Sequence, residues 1–192
     1  MSKVVSGYKE QARERILDSA SKLFYQAGYH STGMDDIAKS IGVTKGTLYL
    51  YFKNKEDLLI MACQRNTTLL EESLKNAIKN DFLDSFDRFF EEEMKMPDHI
   101  RFHWIFSLME VETNTRIKKI LVESYKKYVD MIAAVLEELK GKHAISGTVD
   151  SVLVAKMLIA FHNGILASML QGLGHDEAVS MFKSGIRLLL SV

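Results

Sequence analysis

Apolar residues recur every three or four positions along most of the chain, the period of an α-helix. Ile16, Leu17, Ala20, Leu23, Phe24 and Ala27 form one such stripe, with Lys9, Arg13, Arg15 and Lys22 mostly off it. They predict a first helix over 9–27, ended by Gly28, with residues 1–8 as a frayed tail. Beyond residue 54 the pattern lengthens into amphipathic helices over 55–79, 82–95, 98–112 and 115–140, then 149–171 and 176–190. Pro97 forces a corner after the second of these, and Gly141 and Gly147 bracket a polar loop. No period-2 pattern and no internal repeat is visible. With one proline and eleven glycines in 192 residues, the chain reads as all-α, about nine helices, long enough to bury a real core.

Residues 32–58 compress three helix starts into a short stretch. Thr32 can cap one helix, with Asp35 as an approximate reciprocal cap, and that helix carries Met34, Ile37, Ala38 and Ile41 on one face. Gly42 supplies a left-handed corner. Thr44 caps a second helix through Leu48 to Phe52, and Asn54 a third with Glu56 and Asp57 in its first turn. Small, glycine and aliphatic at Ala38, Gly42 and Leu48 is the spacing of a helix-turn-helix, which lays its second helix in the DNA major groove. The plain alternative is a helical hairpin with a glycine corner. Against it, Thr44, Lys45, Gly46, Thr47, Tyr49 and Tyr51 crowd polar groups onto a helix too short to bury much, and Lys53 and Lys55 follow.

Over about residues 9 to 60 the sequence resembles the TetR family of transcriptional regulators. The matching residues are Gly28-Tyr29, Thr32, Asp36-Ile37-Ala38, Gly42-Val43, Lys45-Gly46-Thr47-Leu48-Tyr49, Tyr51-Phe52 and Lys55-Glu56-Asp57-Leu58. The resemblance implies a DNA-binding head, residues 1–53, and a helical body, 54–192, that binds a small molecule and dimerises. It implies DNA contacts from Thr32, Thr44, Lys45, Gly46, Thr47, Tyr49, Tyr51 and Lys55. Leu50 departs from the polar or aromatic residues common at its position, and Tyr51 stands where histidine is frequent. Repression, on a palindromic operator bound by a homodimer, is the family default.

Charge agrees in direction. The net charge is zero, but residues 1–55 hold nine Lys and Arg against five Asp and Glu, while the remainder is acidic. Cys63 is the only cysteine and reads as packing, which suits a reducing cytoplasm. The first seven residues lack the apolar core of a signal peptide. The stretch 152–170 is long and apolar, but Lys156, His162 and Asn163 interrupt it, so it reads as a buried helix rather than a membrane span.

In the body, Phe86, Phe89, Phe90, Phe102, Trp104, Phe106, Met109, Tyr125, Tyr128, Met131, Met157, Phe161 and Met169 could line a cavity, or form a solid core. The resemblance implies an effector pocket lined by some of them. Their composition suits an elongated apolar effector, best a long-chain acyl-CoA or fatty-acid-like compound, with Arg101 or Arg116 available for an anionic head. Multidrug-responsive members share the same head motif, and an adaptor regulated by a protein partner is the alternative of another class. Small residues Ala160, Gly164, Ala167 and Ser168, with Met181, Phe182, Ile186, Leu189 and Leu190, predict a four-helix dimer interface. His162 and Asn163 could bond across that interface, point into a pocket, or satisfy each other in the core. His99 and His103 stand four apart on one face but lack a third ligand at telling spacing, so no metal or cofactor is expected. Glu91, Glu92 and Glu93 read as a solvated run. No nucleophile elbow or phosphate loop supports an enzyme.

Overall fold

The computed structural model describes residues 3–77, 82–101 and 112–190. Phe102, His103, Trp104, Phe106 and Met109 lie outside them. The described residues form nine helices and no strand: α1 (Lys3–Ala27), α2 (Met34–Ser40), α3 (Lys45–Tyr49), α4 (Lys55–Ala77), α5 (Phe82–Lys95), α6 (Asp98–Arg101), α7 (Thr115–Gly141), α8 (Ser151–Leu170) and α9 (His175–Leu190). α1 begins inside the stretch expected to be a tail. The chain divides into two compact units, Met1–Thr68 with Pro97–Leu121, and Leu69–Met96 with Val122–Val192. The division falls inside α4 and inside α7. The first unit therefore reaches well past residue 53.

In the first unit, Ile16, Leu17, Ala20 and Phe24 of α1 pack with Met34, Ile37 and Ala38 of α2, Leu48 of α3, and Leu58, Leu59 and Ala62 of α4. Leu23 is half-buried and Ala27 exposed. Cys63 is buried, as its apolar surroundings require. α2 starts differently from expectation. Its N-cap is Gly33, and the Asp36 carboxylate, not Asp35, accepts the Gly33 N–H at 2.8 Å. Thr32 is buried, and its hydroxyl donates to the carbonyl oxygens of Gly28 (2.8 Å) and Leu23 (3.3 Å). It closes the end of α1, where carbonyls lack helical partners, instead of opening α2. α2 ends as expected on Gly42, at φ +72°. The Val43 N–H reaches the Ala38 carbonyl and the Gly42 N–H that of Lys39, the two bonds of a Schellman motif. Asn54 caps α4 by accepting the Asp57 N–H at 2.8 Å, and the Asp57 carboxylate takes the Lys53 N–H.

α6 belongs to the first unit. His99 is buried there, its Nε2 3.0 Å from Asp18 of α1. Arg65 of α4 donates to Glu14 of α1 at 2.6 Å, and the buried Asn66 amide donates to Ser21 and to the His99 carbonyl. His99 thus forms a buried bridge from α6 to α1. Arg101, also buried, pairs with Asp98.

In the second unit, α9 packs on α8 and α5. Ala178, Phe182, Ile186 and Leu190, each four apart, form the buried edge of α9. Phe182 stacks on Phe90 with ring centroids 4.1 Å apart and 7° between planes. Phe182 and Ile186 are thus core residues and not part of an exposed dimer face. Lys183–Glu91 (2.6 Å) and Arg187–Asp87 (2.9 Å) flank this contact. The Asp150 carboxylate caps α8 by accepting the Val152 and Leu153 N–H groups. α8 is not the buried helix expected. Only 22% of its apolar window is inside the fold, and Val152, Leu153, Met157 and Leu170 are exposed. By length and composition alone it could cross a membrane. Ala155, Leu158, Ile165 and Leu166 nevertheless bury one of its faces.

α7 ends in a second Schellman motif, with His143 at φ +58° and the Ala144 N–H on the Leu139 carbonyl. A side chain in this backbone region costs about 1 kcal/mol or more. Gly42→Ala should therefore destabilise the first unit by about 1 kcal/mol, while His143→Gly should cost nothing or stabilise slightly, glycine's greater unfolded entropy offsetting part of the gain. Urea unfolding of both variants measures the pair. Equal destabilisation by both would remove backbone strain as the cause.

Candidate nucleic-acid interface

α3 has five residues and buries one of them, Leu48, fully. Thr44 stands at its N-cap and accepts the Thr47 N–H at 3.2 Å, with the Thr44 and Thr47 hydroxyls 3.0 Å apart. The remaining surface is open. Thr44, Lys45, Gly46, Tyr49 and Leu50 are exposed and Thr47 half-exposed. Lys45 is held at 2.7 Å by Asp35 of α2, and this bond to a carboxylate raises its pKa, so the ammonium stays charged. The arrangement presents one cation, three hydroxyls and a bare backbone on a single short helix. Such a surface can meet phosphates and base edges.

Of the eight sequence-predicted DNA contacts, Thr44, Lys45, Gly46, Thr47 and Tyr49 come together there. Tyr51 is half-buried against the core of the first unit. The Lys55 ammonium is taken by the Tyr29 and His30 carbonyl oxygens (2.8 and 3.4 Å) and lies 4.3 Å from the Tyr29 ring centre. Thr32 faces inward. Leu50, 82% exposed, was not singled out as a contact. Its phase two residues beyond the buried Leu48 was the available signal.

The body candidates separate in the same way. Phe86, Phe89 and Phe90 are buried on one face of α5, whereas Tyr125 is exposed and Tyr128 and Met131 half-buried. Met157 and Phe161 line a surface groove of about 400 Å³ with Ala160, Gly185, Leu188 and Leu189. The Phe161 ring lies so close over Gly185 that an added Cβ would stand 2.1 Å from it. Gly164 is exposed with open space around it, Met181 is exposed, and Ala167 and Ser168 are half-buried.

Of the three alternatives for His162 and Asn163, the fold shows a bond between the two, with a further one from His162 to α5. Its Nε2 lies 2.5 Å from Glu93 of α5 and its Nδ1 3.2 Å from Asn163, within the ring cluster of Phe89, Phe90 and Phe182. Glu93 is fully buried, so the glutamate run is not uniformly solvated. It follows Phe86 by seven and Phe90 by three, which puts it on their face. Burial pushes the His162 pKa down, but the Glu93 charge and the bonds to Glu93 and Asn163 outweigh it, and the net shift is upward.

Residues 16–62 match the family model of bacterial regulatory proteins, tetR family. The chain is 42% identical over 65 residues, 34% of the chain and 34% of the relative, to the fatty acid metabolism regulator protein of Bacillus subtilis (strain 168). The match thus spans only about a third of that relative's length. Over nearly the whole chain the fold is that of the regulator FadR from Bacillus subtilis solved in complex with stearoyl-CoA (TM-score 0.75, 24% identity, covering 93% of this chain and 97% of that one). It is also that of SmeT, the repressor of a multidrug efflux pump of Stenotrophomonas maltophilia (TM-score 0.71, 19% identity, 93% and 88%). The family and these relatives are regulators, not enzymes.

The His162 shift has a sign. A folded-state pKa above the usual value adds stability that is complete below about pH 6.5 and is lost as pH rises through the folded value. Unfolding free energy measured between pH 6 and 9 should therefore show a downward step that His162→Gln abolishes. A wild-type step that survives in the variant would assign it to another group.

Proposed function

We propose that this chain is a cytoplasmic, homodimeric, ligand-responsive transcriptional repressor that binds DNA through its first unit, a reading supported by the match of residues 16–62 to the tetR family model. The observation that carries the reading is the open face of α3, held by Leu48 alone and offering Thr44, Lys45, Gly46, Thr47 and Tyr49 together. Lys45 is the one cation on it. Lys45→Ala should weaken binding to all duplexes and lower the log-log salt slope by about one. A mobility-shift series across salt concentrations decides it, and an unchanged slope would remove Lys45 from the phosphate contacts.

The dimer reading rests on α8 and α9. Their exposed apolar residues and groove are surface that a second copy of the chain would cover, and Gly164 leaves room for a close approach. Two-fold symmetry then sets the α3 helices about 34–36 Å apart, or a multiple, on a palindromic operator. Gly164→Arg should sediment as a monomer and lose operator affinity. A dimeric, DNA-binding variant would move the interface elsewhere.

The effector proposed is an elongated, mainly apolar molecule, best a long-chain acyl-CoA. The large apolar side chains of the second unit support it, as do the name of the Bacillus relative and the stearoyl-CoA bound by the FadR structure. The second reading, a cationic drug, is favoured by one observation: the Oε1 of buried Glu93 has no hydrogen-bond partner among the described residues, while its Oε2 lies 2.5 Å from His162. An effector that prefers the state unable to bind DNA by about 1–3 kcal/mol lowers operator affinity about 5- to 150-fold. Titrating the protein–operator complex with acyl-CoAs of increasing length, and in parallel with multi-ring cations, tests both. Release by long-chain acyl-CoA alone supports the first reading, and release by the cations alone supports the second. Release by neither favours an adaptor whose body meets a protein partner.

A further inference from the structure

We infer that Leu50 reads a thymine methyl group in the operator, across the gap left by Gly46. The inference rests on the DNA-binding reading and adds the base class that α3 selects. Leu50 is 82% exposed, at the C-cap of α3. Its backbone is fixed, the N–H donating to the Thr47 carbonyl at 3.2 Å. Leu48, two positions earlier, is wholly buried, and a helix turns about 200° over two residues. The Leu50 side chain therefore leaves the helix on the side away from the core. No fold contact explains a leucine there.

Gly46 stands four residues before Leu50, on the same face. Helical side chains lean toward the N-terminus, so the leucine lies over the Gly46 turn. Nothing in the fold demands glycine at 46. Its backbone is not in the left-handed region, and an added Cβ would meet only the Thr44 Oγ1, at 3.7 Å. Glycine is nonetheless a poorer helix former than alanine. A position that bears this cost with no internal reason keeps the backbone open to something outside. Together the two residues make a small apolar step beside the hydroxyls of Thr44, Thr47 and Tyr49.

The edges of base pairs in the major groove carry donors, acceptors and one apolar group, the C5-methyl of thymine. Leucine gains only by meeting that methyl. Against any other base edge it covers polar atoms and returns no hydrogen bond.

The test uses the full-length protein. Duplexes are selected by the wild type from a random library, and each dT of the enriched half-site is then replaced by dU, which removes the methyl and nothing else. One such replacement in a single half-site should weaken the wild type by about fourfold, the value of one buried methyl, and the same replacement in both half-sites by about fifteenfold. Leu50→Ala, which folds normally because the side chain touches no core residue, should show no loss at that same position and keep the losses at all others. Wild-type and variant losses that match at every position would overturn the inference while leaving DNA binding intact. A selection that enriches nothing would overturn the DNA-binding reading itself, and the inference with it.

Discussion

Leu48 is the contact on which the rest of the first unit depends. A helix of five residues is far below the length that persists in water on its own. α3 exists because this one side chain is fully buried among Leu17, Ile37, Ala38 and their neighbours. Thr44 closes its first turn, and the Gly42 corner aims it. Because a single residue anchors α3, all its other faces remain available. A longer helix would have buried a second turn and given up part of that surface. Ala38 is small for the same reason, since the close approach of α2 and α3 leaves little volume at the crossing.

Three sets of polar side chains join helices to one another among the described residues. Asn66, Ser21 and the His99 carbonyl form one set, Asp18, His99, Arg65 and Glu14 a second, and His162, Glu93 and Asn163 a third. These weigh more than the surface pairs such as Lys142–Glu138, which exchange solvation for little gain. A buried charge that loses its partner is costly. These sets therefore fix which helix faces which, the second of them at the edge of the fold with Asp18 and Glu14 half-exposed: α6 on α1 and α4 in the first unit, α8 on α5 in the second.

The helices, and the caps built from local residues, could be read directly. Gly42, Thr44 and Asn54 act where the sequence pattern put them, because each bonds to a backbone group within four residues. Thr32 misled because its hydroxyl had two sets of orphaned backbone groups within reach, the carbonyls of α1 and the amides of α2, and spacing does not choose between them. Glu93 misled because a charge among charges looks solvated. Only its phase with Phe86 and Phe90 marks it as interior. Phe182 and Ile186 looked like surplus apolar surface until α5 supplied the rings that cover them. The eight predicted DNA contacts divide for a related reason. Those on α3 lie together by helical geometry, while Thr32 bonds to the end of α1 and Lys55 to the turn after it, 26 residues away in the chain at Tyr29. α8 carries enough apolar residues to be a core helix, yet one chain covers only one side of it.

The seat of Phe161 on the bare backbone of Gly185 gives the α8–α9 surface its shape. The tip of the ring can sit there only because one carbon is missing beneath it. Any other residue at 185 would lift the ring and turn a hollow into a ridge. The form of this surface is thus set by an absent atom rather than by a side chain, so a single-residue change at 185 would alter which surfaces can lie against α8 and α9.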